Sequence, residues 1–320
     1  SFVVLDGVVP WSETILMRSA ETLSTPDCQI TDEAFARVRD SQGAYFEPVQ
    51  GLDPHQFAAD TLDPARAMEA AAVLQRVTPL NGKRVLEIGA GCGVTHIVWT
   101  KHFGINGTAV EPEGEGFGDS AAIARDLIAA NGLDPERIVG ATGENLPFDN
   151  DHFDIVYSSN VLEHTADPAR VLREALRVVK PGGIVQIVCP NYLSYFDGHY
   201  AAFHPPIFSN RFFCWWMKTI YGKDPAFAAT IRTEVNPVWA RRHLVEIAHT
   251  TPIEIIGLGQ DVFRERMTGG AVGRWMALGK VGRLVKLAAT LRLNRLAAAV
   301  VIALQGWTPL IITVRKRPSP

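Results

Sequence analysis

The sequence predicts an α/β protein built on a mostly parallel seven-stranded sheet with helices on both faces. Three observations carry this. Short apolar runs alternate with segments of helical period between Lys83 and Val188, the rhythm of parallel strands joined by crossover helices. A glycine run, Gly89-Ala90-Gly91-Cys92-Gly93, ends one strand and opens a helix. Two more apolar strands, Ile253 to Leu258 and Leu310 to Val314, follow outside the alternation.

Residues 1–60 read as irregular, apart from a short strand at Phe2-Val3-Val4-Leu5 and a short helix from Asp32 to Arg39. Asp63 as N-cap and Pro64 at the first helical position open a helix through Arg76. Arg84 to Ile88 is the first strand, and Val94 to Phe103 the helix after the glycine run. Thr108 to Val110 is a strand ending at Glu111, and Ser120 to Asn131 a helix closed by Gly132. Arg137 to Ala141 and Phe153 to Ser158 are strands. Pro168 to Val179 is a helix stopped by Pro181-Gly182-Gly183, and Ile184 to Val188 the fifth strand.

Residues 191–239 break the rhythm. They hold 13 of the chain's 28 aromatic residues and read as an inserted cap. Pro237 to His249 is a helix. Residues 271–305 read as basic amphipathic helices. Four units follow: a cap over 1–80, a cofactor-binding core over 81–190, an aromatic-rich acceptor side over 191–252, and last strands with a basic helical insertion over 253–320.

Composition excludes several classes. At 320 residues, with 47% apolar and 20% charged residues, the chain is neither disordered nor a disulfide scaffold. Its four cysteines form no C-x-x-C pair, which argues against a cysteine zinc site. With no charged-then-apolar leader at the N-terminus, the expected setting is cytoplasmic. From Met267 to Pro320 there are nine Lys or Arg and no Asp or Glu. That basic end suggests peripheral membrane contact or an anionic acceptor. Leu296 to Val314 is uncharged, but Gln305-Gly306-Trp307-Thr308-Pro309 interrupts it, against a continuous membrane span.

The glycine run lets backbone approach a ligand closely, and the next helix offers free N–H groups. A dinucleotide turn spaces its glycines as G-x-G-x-x-G. Here the third glycine comes one position early and Glu87 precedes the loop. A carboxylate there repels a pyrophosphate and suits an ammonium, which argues against a nicotinamide oxidoreductase. Glu111, followed by Pro112, stands where a carboxylate accepts hydrogen bonds from ribose hydroxyls.

The run Val85-Leu86-Glu87-Ile88-Gly89-Ala90-Gly91-Cys92-Gly93 resembles class I S-adenosylmethionine-dependent methyltransferases, the branch that includes the quinone-biosynthesis C-methyltransferases. Four further stretches are similar in order. Gly143-Glu144-Asn145-Leu146-Pro147-Phe148 resembles the adenine-side loop, and Phe153-Asp154-Ile155-Val156 the fourth strand. Ser159-Asn160-Val161-Leu162-Glu163-His164 resembles the segment beneath the methyl group, and Leu176 to Gly183 the turn into the fifth strand. Where many relatives carry an Asp before the adenine loop, Thr142 stands here. The resemblance implies a Rossmann-like core, S-adenosylmethionine as cofactor, and in-line methyl transfer to a small-molecule, glycan or lipid-linked acceptor. It implies Glu87 and the Gly89–Gly93 loop at the methionine end, Glu111 at the ribose, and Asn160 and Val161 beneath the sulfonium. The alternative is a non-catalytic binding or scaffold protein of the same fold.

An acceptor that must lose a proton needs a base. His164, His199 and His204 are the candidates, since the last two follow the fifth strand, where open α/β sheets bind ligands. Tyr192, Tyr195, Tyr200, Trp215 and Trp216 are the expected acceptor wall. Asp197, His199 and His204 lack a ligand spacing, so no metal is expected. Without an Asn/Asp-Pro-Pro-aromatic run after the fourth strand, nucleic acid is not the expected partner.

Overall fold

The computed structural model describes residues 27–51, 53–114, 119–268, 290 and 293–318. The expected strand at Phe2–Leu5 and most of the basic stretch 271–292 lie outside them. The first sheet strand, β1 (Arg84–Ile88), is followed by β2 (Asn106–Val110), β3 (Ile138–Val139), β4 (Phe153–Ser159), β5 (Val179–Cys189), β8 (Ile253–Gly257) and β9 (Leu310–Lys316). Together they form one seven-stranded sheet in the order β3-β2-β1-β4-β5-β9-β8. β1 runs parallel to β2 and β4, and β4 parallel to β5, whereas β9 is antiparallel to both β5 and β8. Strand order reverses between β1 and β4, so the loops after them diverge and leave a crevice at the carboxyl edge.

Period-two alternation along β1 explains the layers. Leu86 and Ile88 enter one apolar core, and Val85 enters the other. α4 (Pro64–Leu74), α5 (Val94–Phe103) and α6 (Ser120–Ala130) cover the Val85 face. α7 (Pro168–Val178), α10 (Pro237–Ala248), α11 (Gln260–Thr268) and α12 (Asn294–Ala303) cover the other. In α7, Asp167 caps by accepting from the Arg170 N–H at 2.9 Å, and Val171, Leu172, Ala175 and Leu176 form the buried stripe.

A third core lies outside the sheet. The hairpin β6 (Phe196–Asp197) and β7 (Ala202–Phe203) precedes α8 (Asn210–Tyr221) and α9 (Ala226–Thr230). Tyr192, Tyr200, Phe213, Met217 and Phe227 from this region bury against Phe46 and Val49. These two come from residues 40–60, which the sequence reading left irregular. The structure corrects that: α1 (Asp32–Val38) runs through a π-helical turn into α2 (Ala44–Gln50), and α3 (Pro54–Thr61) follows. Asp53 caps α3 through the His55 and Gln56 N–H groups, the same Asp-Pro start as at Asp63-Pro64. Two other boundaries differ. The third strand shrinks to Ile138–Val139, because Arg137 closes a 3-10 turn. The fifth starts at Val179, directly where α7 ends.

Of the basic C-terminal residues within the described parts, Arg315 and Arg317 pair with Glu254, and Lys316 with Asp151. No helix among the described residues is long and apolar enough to cross a membrane. Trp307 ties the C-terminal loop to the sheet. It is fully buried and its Nε1–H donates to the Leu258 carbonyl at 2.8 Å, while the Asn191 amide donates to the Trp307 carbonyl at 2.6 Å. Trp307→Phe removes the indole donor from the Leu258 carbonyl, which keeps the Ile311 N–H at 3.2 Å, and the expected loss is about 0.5–1.5 kcal/mol. Urea denaturation checks it, and an unchanged midpoint would contradict this role.

Candidate active site

The crevice is built by the loops after β1, β2, β4 and β5. After β1 the chain turns at Gly89, whose φ of 78° is left-handed. A Cβ there would lie 2.2 Å from Val161 Cγ2, so glycine answers both demands. The Gly89 and Ala90 N–H groups donate to the Val110 carbonyl at 2.9 and 3.1 Å, which fixes the loop against the end of β2. The Gly91 N–H donates to Glu111 Oε2 at 2.9 Å. At Gly91 an added Cβ would meet nothing within 4 Å, so the loop's outer edge faces open space. Gly93 starts α5.

Two adjoining cavities result. The smaller, about 220 Å³, is lined by Glu87, Gly89 to Cys92, Tyr157, Asn160 and Gln186, with Arg66 from α4. The larger, about 700 Å³, is lined by Glu111, Pro112, Thr142, Gly143, Glu144, Asn160 and Val161 on one side. Gln42, Phe46, Phe57, His164 and His199 line the rest of it. The two share Thr61, Gly89, Gly91, Ser159 and Asn160. Asn160 has a φ of 55°, a strained backbone of the kind that collects at functional sites.

Glu87 is buried, and that burial raises its carboxyl to about 8, against a hydrogen bond from Thr95 and with a further push from Glu111. Its Oε2 has no hydrogen-bond partner. Burial also raises Glu111, partly offset by the Gly91 N–H. Of the other expected cofactor residues, Gly93, Asn145 and Leu146 support the loops rather than line them. The Asn145 N–H donates to the Thr142 carbonyl at 3.1 Å, and the Leu146 N–H donates to Glu174 Oε2 at 3.0 Å. Glu144 lines the cleft while its Oε1 accepts the Ala166 N–H at 2.8 Å.

The three histidines part company. His164 sits on a 3-10 turn (Leu162–His164) after β4, and His199 in the β6–β7 turn. Their Nε2 atoms are 3.2 Å apart. His199 Nδ1 lies 3.1 Å from Asp197 Oδ2, and Asp197 Oδ1 accepts the Tyr200 N–H at 2.9 Å. Burial opposes charge on Asp197 and His199, but their contact overcomes it: the carboxyl falls below its usual range and the imidazole rises above its own. Burial and His199 drive His164 down to about 3. His204 does not line either cavity; it is buried, with Nδ1 at 2.8 Å from the Pro205 carbonyl.

The aromatic residues expected as an acceptor wall line neither cavity. Tyr192 and Tyr200 fill the third core, and the Tyr200 hydroxyl donates to the Asp224 carbonyl at 2.8 Å. Tyr195 packs against the sheet core. Trp216 donates from Nε1 to the Phe203 carbonyl at 3.0 Å, and Trp215 is half exposed. Phe46 and Phe57, stacked at 5.3 Å, line the cleft instead, and no sequence motif singled them out.

Glu163 was also missed. It is fully buried, neither carboxylate oxygen has a hydrogen-bond partner, and burial raises it to about 7 against the opposing charge of His199. The sequence reading tested Asp197, His199 and His204 as ligands. Among the described residues the set that converges is Glu163, His164 and His199.

The family model described as a methyltransferase domain matches residues 86–187. An "uncharacterized methyltransferase" of Mycobacterium sp. strain KMS is 33% identical over 151 residues, which are 46% of this chain and 55% of that protein. The rice chloroplastic 2-methyl-6-phytyl-1,4-hydroquinone methyltransferase 1 is 30% identical over 167 residues, 52% of this chain and 43% of that protein. The chain thus spans about half the length of these curated relatives. Among solved structures, phosphoethanolamine N-methyltransferase 2 of Haemonchus contortus, in complex with S-adenosyl-L-methionine, aligns at 17% identity with a TM-score of 0.48, over 80% of this chain and 53% of that one. Residues 86–187 thus match a methyltransferase domain, and over that stretch the chain is similar to S-adenosylmethionine-dependent methyltransferases.

Proposed function

We propose that the chain transfers a methyl group from S-adenosylmethionine to a small-molecule acceptor held in the larger cleft. One observation carries the reading: Glu87 and Glu111 bracket the glycine loop, and the cleft beyond them runs to His164 and His199. In this reading the smaller cavity takes the methionine end, with Glu87 against its ammonium. Glu111 holds the ribose hydroxyls, and Thr142 with Gly143 borders the adenine in place of the aspartate that many relatives carry. Asn160 and Val161 lie beneath the methyl group. The sulfonium is already activated, so the protein's part is to aim the acceptor and exclude water.

The acceptor side is the His164–His199 pair with Phe46 and Phe57, which line the same cleft. The residues assigned to ribose and adenine line it too, so its volume of about 700 Å³ takes the adenosine and the acceptor together. The phenylalanines and histidines suit an acceptor with an apolar body and a polar reacting end. The rice relative's name gives a phytyl-substituted hydroquinone, an acceptor of that character. A lipid-linked or glycan acceptor enters the same cleft by its reacting end.

Calorimetry with S-adenosylhomocysteine, the product that keeps the amino-acid end, is the first test. No binding would overturn the reading. The pH dependence has a definite sign. Below about 8 Glu87 carries a proton in the free protein, and pairing with an ammonium needs the ionised form. Affinity is therefore expected to rise from about pH 6 toward pH 8, with proton uptake by the buffer. It flattens above about 8, where Glu87 is already ionised in the free protein. Glu87→Gln should abolish the rise; Glu111, Tyr157 and Arg66 remain around the site in that variant.

The two glycines separate packing from binding. Gly89→Ala combines a left-handed backbone with a side-chain clash against Val161; the expected loss of stability is about 2–5 kcal/mol. Gly91→Ala meets no neighbour, so it should cost only about 1–2 kcal/mol while weakening S-adenosylhomocysteine at least tenfold. Denaturation and calorimetry on both variants check this, and equal stability losses would contradict it.

A further inference from the structure

We propose that Glu163, His164 and His199 form a site for a divalent first-row transition-metal ion, zinc being the best match, which binds a hydroxyl oxygen of the acceptor. This rests on the methyltransferase reading for its role, and on geometry for its existence.

The geometry is specific. Glu163 Oε1, His164 Nε2 and His199 Nε2 form a triangle with sides of 3.8, 3.9 and 3.2 Å. The point equidistant from these atoms lies about 2.1 Å from each, the length of a zinc–nitrogen or zinc–carboxylate bond. Two imidazoles and a carboxylate are a donor set that suits zinc or iron rather than magnesium or calcium.

Two independent features point to a cation there. Glu163 is 0% exposed, and neither carboxylate oxygen has a hydrogen-bond partner. A carboxylate in such surroundings needs a positive partner or a proton. Second, His199 already has the outer support that metal-bound histidines carry: its Nδ1 faces the buried Asp197, which is held in turn by the Tyr200 N–H. That arrangement fixes the ring and aims Nε2 at the triangle.

The location gives the ion work to do. His164 and His199 border the same cleft as Asn160 and Val161. Three protein ligands leave a coordination position for a further oxygen. An acceptor hydroxyl bound there becomes more acidic and loses its proton to water, as metal-bound water does. Its oxygen then attacks the sulfonium methyl. The carbon–oxygen bond forms, the carbon–sulfur bond breaks with its electron pair passing to sulfur, and S-adenosylhomocysteine leaves as a neutral thioether. The acceptor class this selects is an alcohol or phenol.

The test uses untagged full-length chain, stripped with chelator and dialysed. Titration with Zn²⁺ by calorimetry, and metal analysis after desalting, should give one ion per chain. Glu163→Gln and His199→Asn should each weaken Zn²⁺ at least tenfold while leaving S-adenosylhomocysteine affinity within twofold, which also shows that the variants are folded. Co²⁺ in the wild type should give visible d–d bands that both variants lose. No stoichiometric uptake, or uptake unchanged in both variants, would overturn the proposal and leave a proton-sharing carboxylate–imidazole cluster. Failure of the wild type to bind S-adenosylhomocysteine would instead sink the methyltransferase reading, so the two failures are told apart.

Discussion

The approach of Gly89 to Val161 sets the scale of the crevice. β1 and β4 are adjacent parallel strands, so the first residues of the two loops touch at their carboxyl ends before the loops diverge. With no side chain at position 89, the Val161 methyls occupy the space a Cβ would need. The glycine loop and the segment Asn160 to His164 are thereby held in one fixed relation. Everything else at the crevice is measured from that contact. Glu87 lies beneath the loop and Glu111 beside it, while the Glu163–His164 turn begins two residues past the valine.

Carboxylates dominate the electrostatics of this region. Glu87, Glu111 and Glu163 are each raised by burial, and among the described residues none of the three forms an ion pair with lysine or arginine. Buried acids without such partners cost stability, and a protein keeps them where a cationic ligand returns the energy on binding. S-adenosylmethionine carries two positive centres, an ammonium and a sulfonium. In the proposed reading Glu87 suits the ammonium and Glu111 the ribose hydroxyls. The third lies on the acceptor side, next to the histidines and away from the glycine loop.

The sheet and the glycine loop were legible in the sequence because their signals are local. Apolar runs, Asp-Pro helix starts and Gly-x-Gly-x-Gly spacing each lie within about a dozen residues, and strand–helix alternation fixes the layering. The third core was not legible, because its partners are far apart in the chain. Phe46 packs on Phe227 at 5.2 Å, and no periodicity connects residues so distant. Pro48 and the π-helical turn also break the helical pattern through residues 39–50. The histidines show the same division. His164 and His199 could each be singled out, but their pairing across 35 positions depends on where the β6–β7 turn folds back. Glu163 was hidden for another reason: it lies inside the stretch Ser159 to His164 that resembles a motif as a whole, and nothing in the sequence signals that its carboxylate is buried.

The third core has a consequence for how the crevice is held. Nucleotide-facing groups belong to the sheet and its own loops, and they are assembled once β1, β2 and β4 pair. His199 and the cleft phenylalanines Phe46 and Phe57 belong to segments far apart in the chain, which meet where Phe46 packs on Phe227. Contacts to the nucleotide and contacts to the acceptor thus rest on different packing, the first on neighbouring strands and their loops, the second on the closure of Phe46 against Phe227.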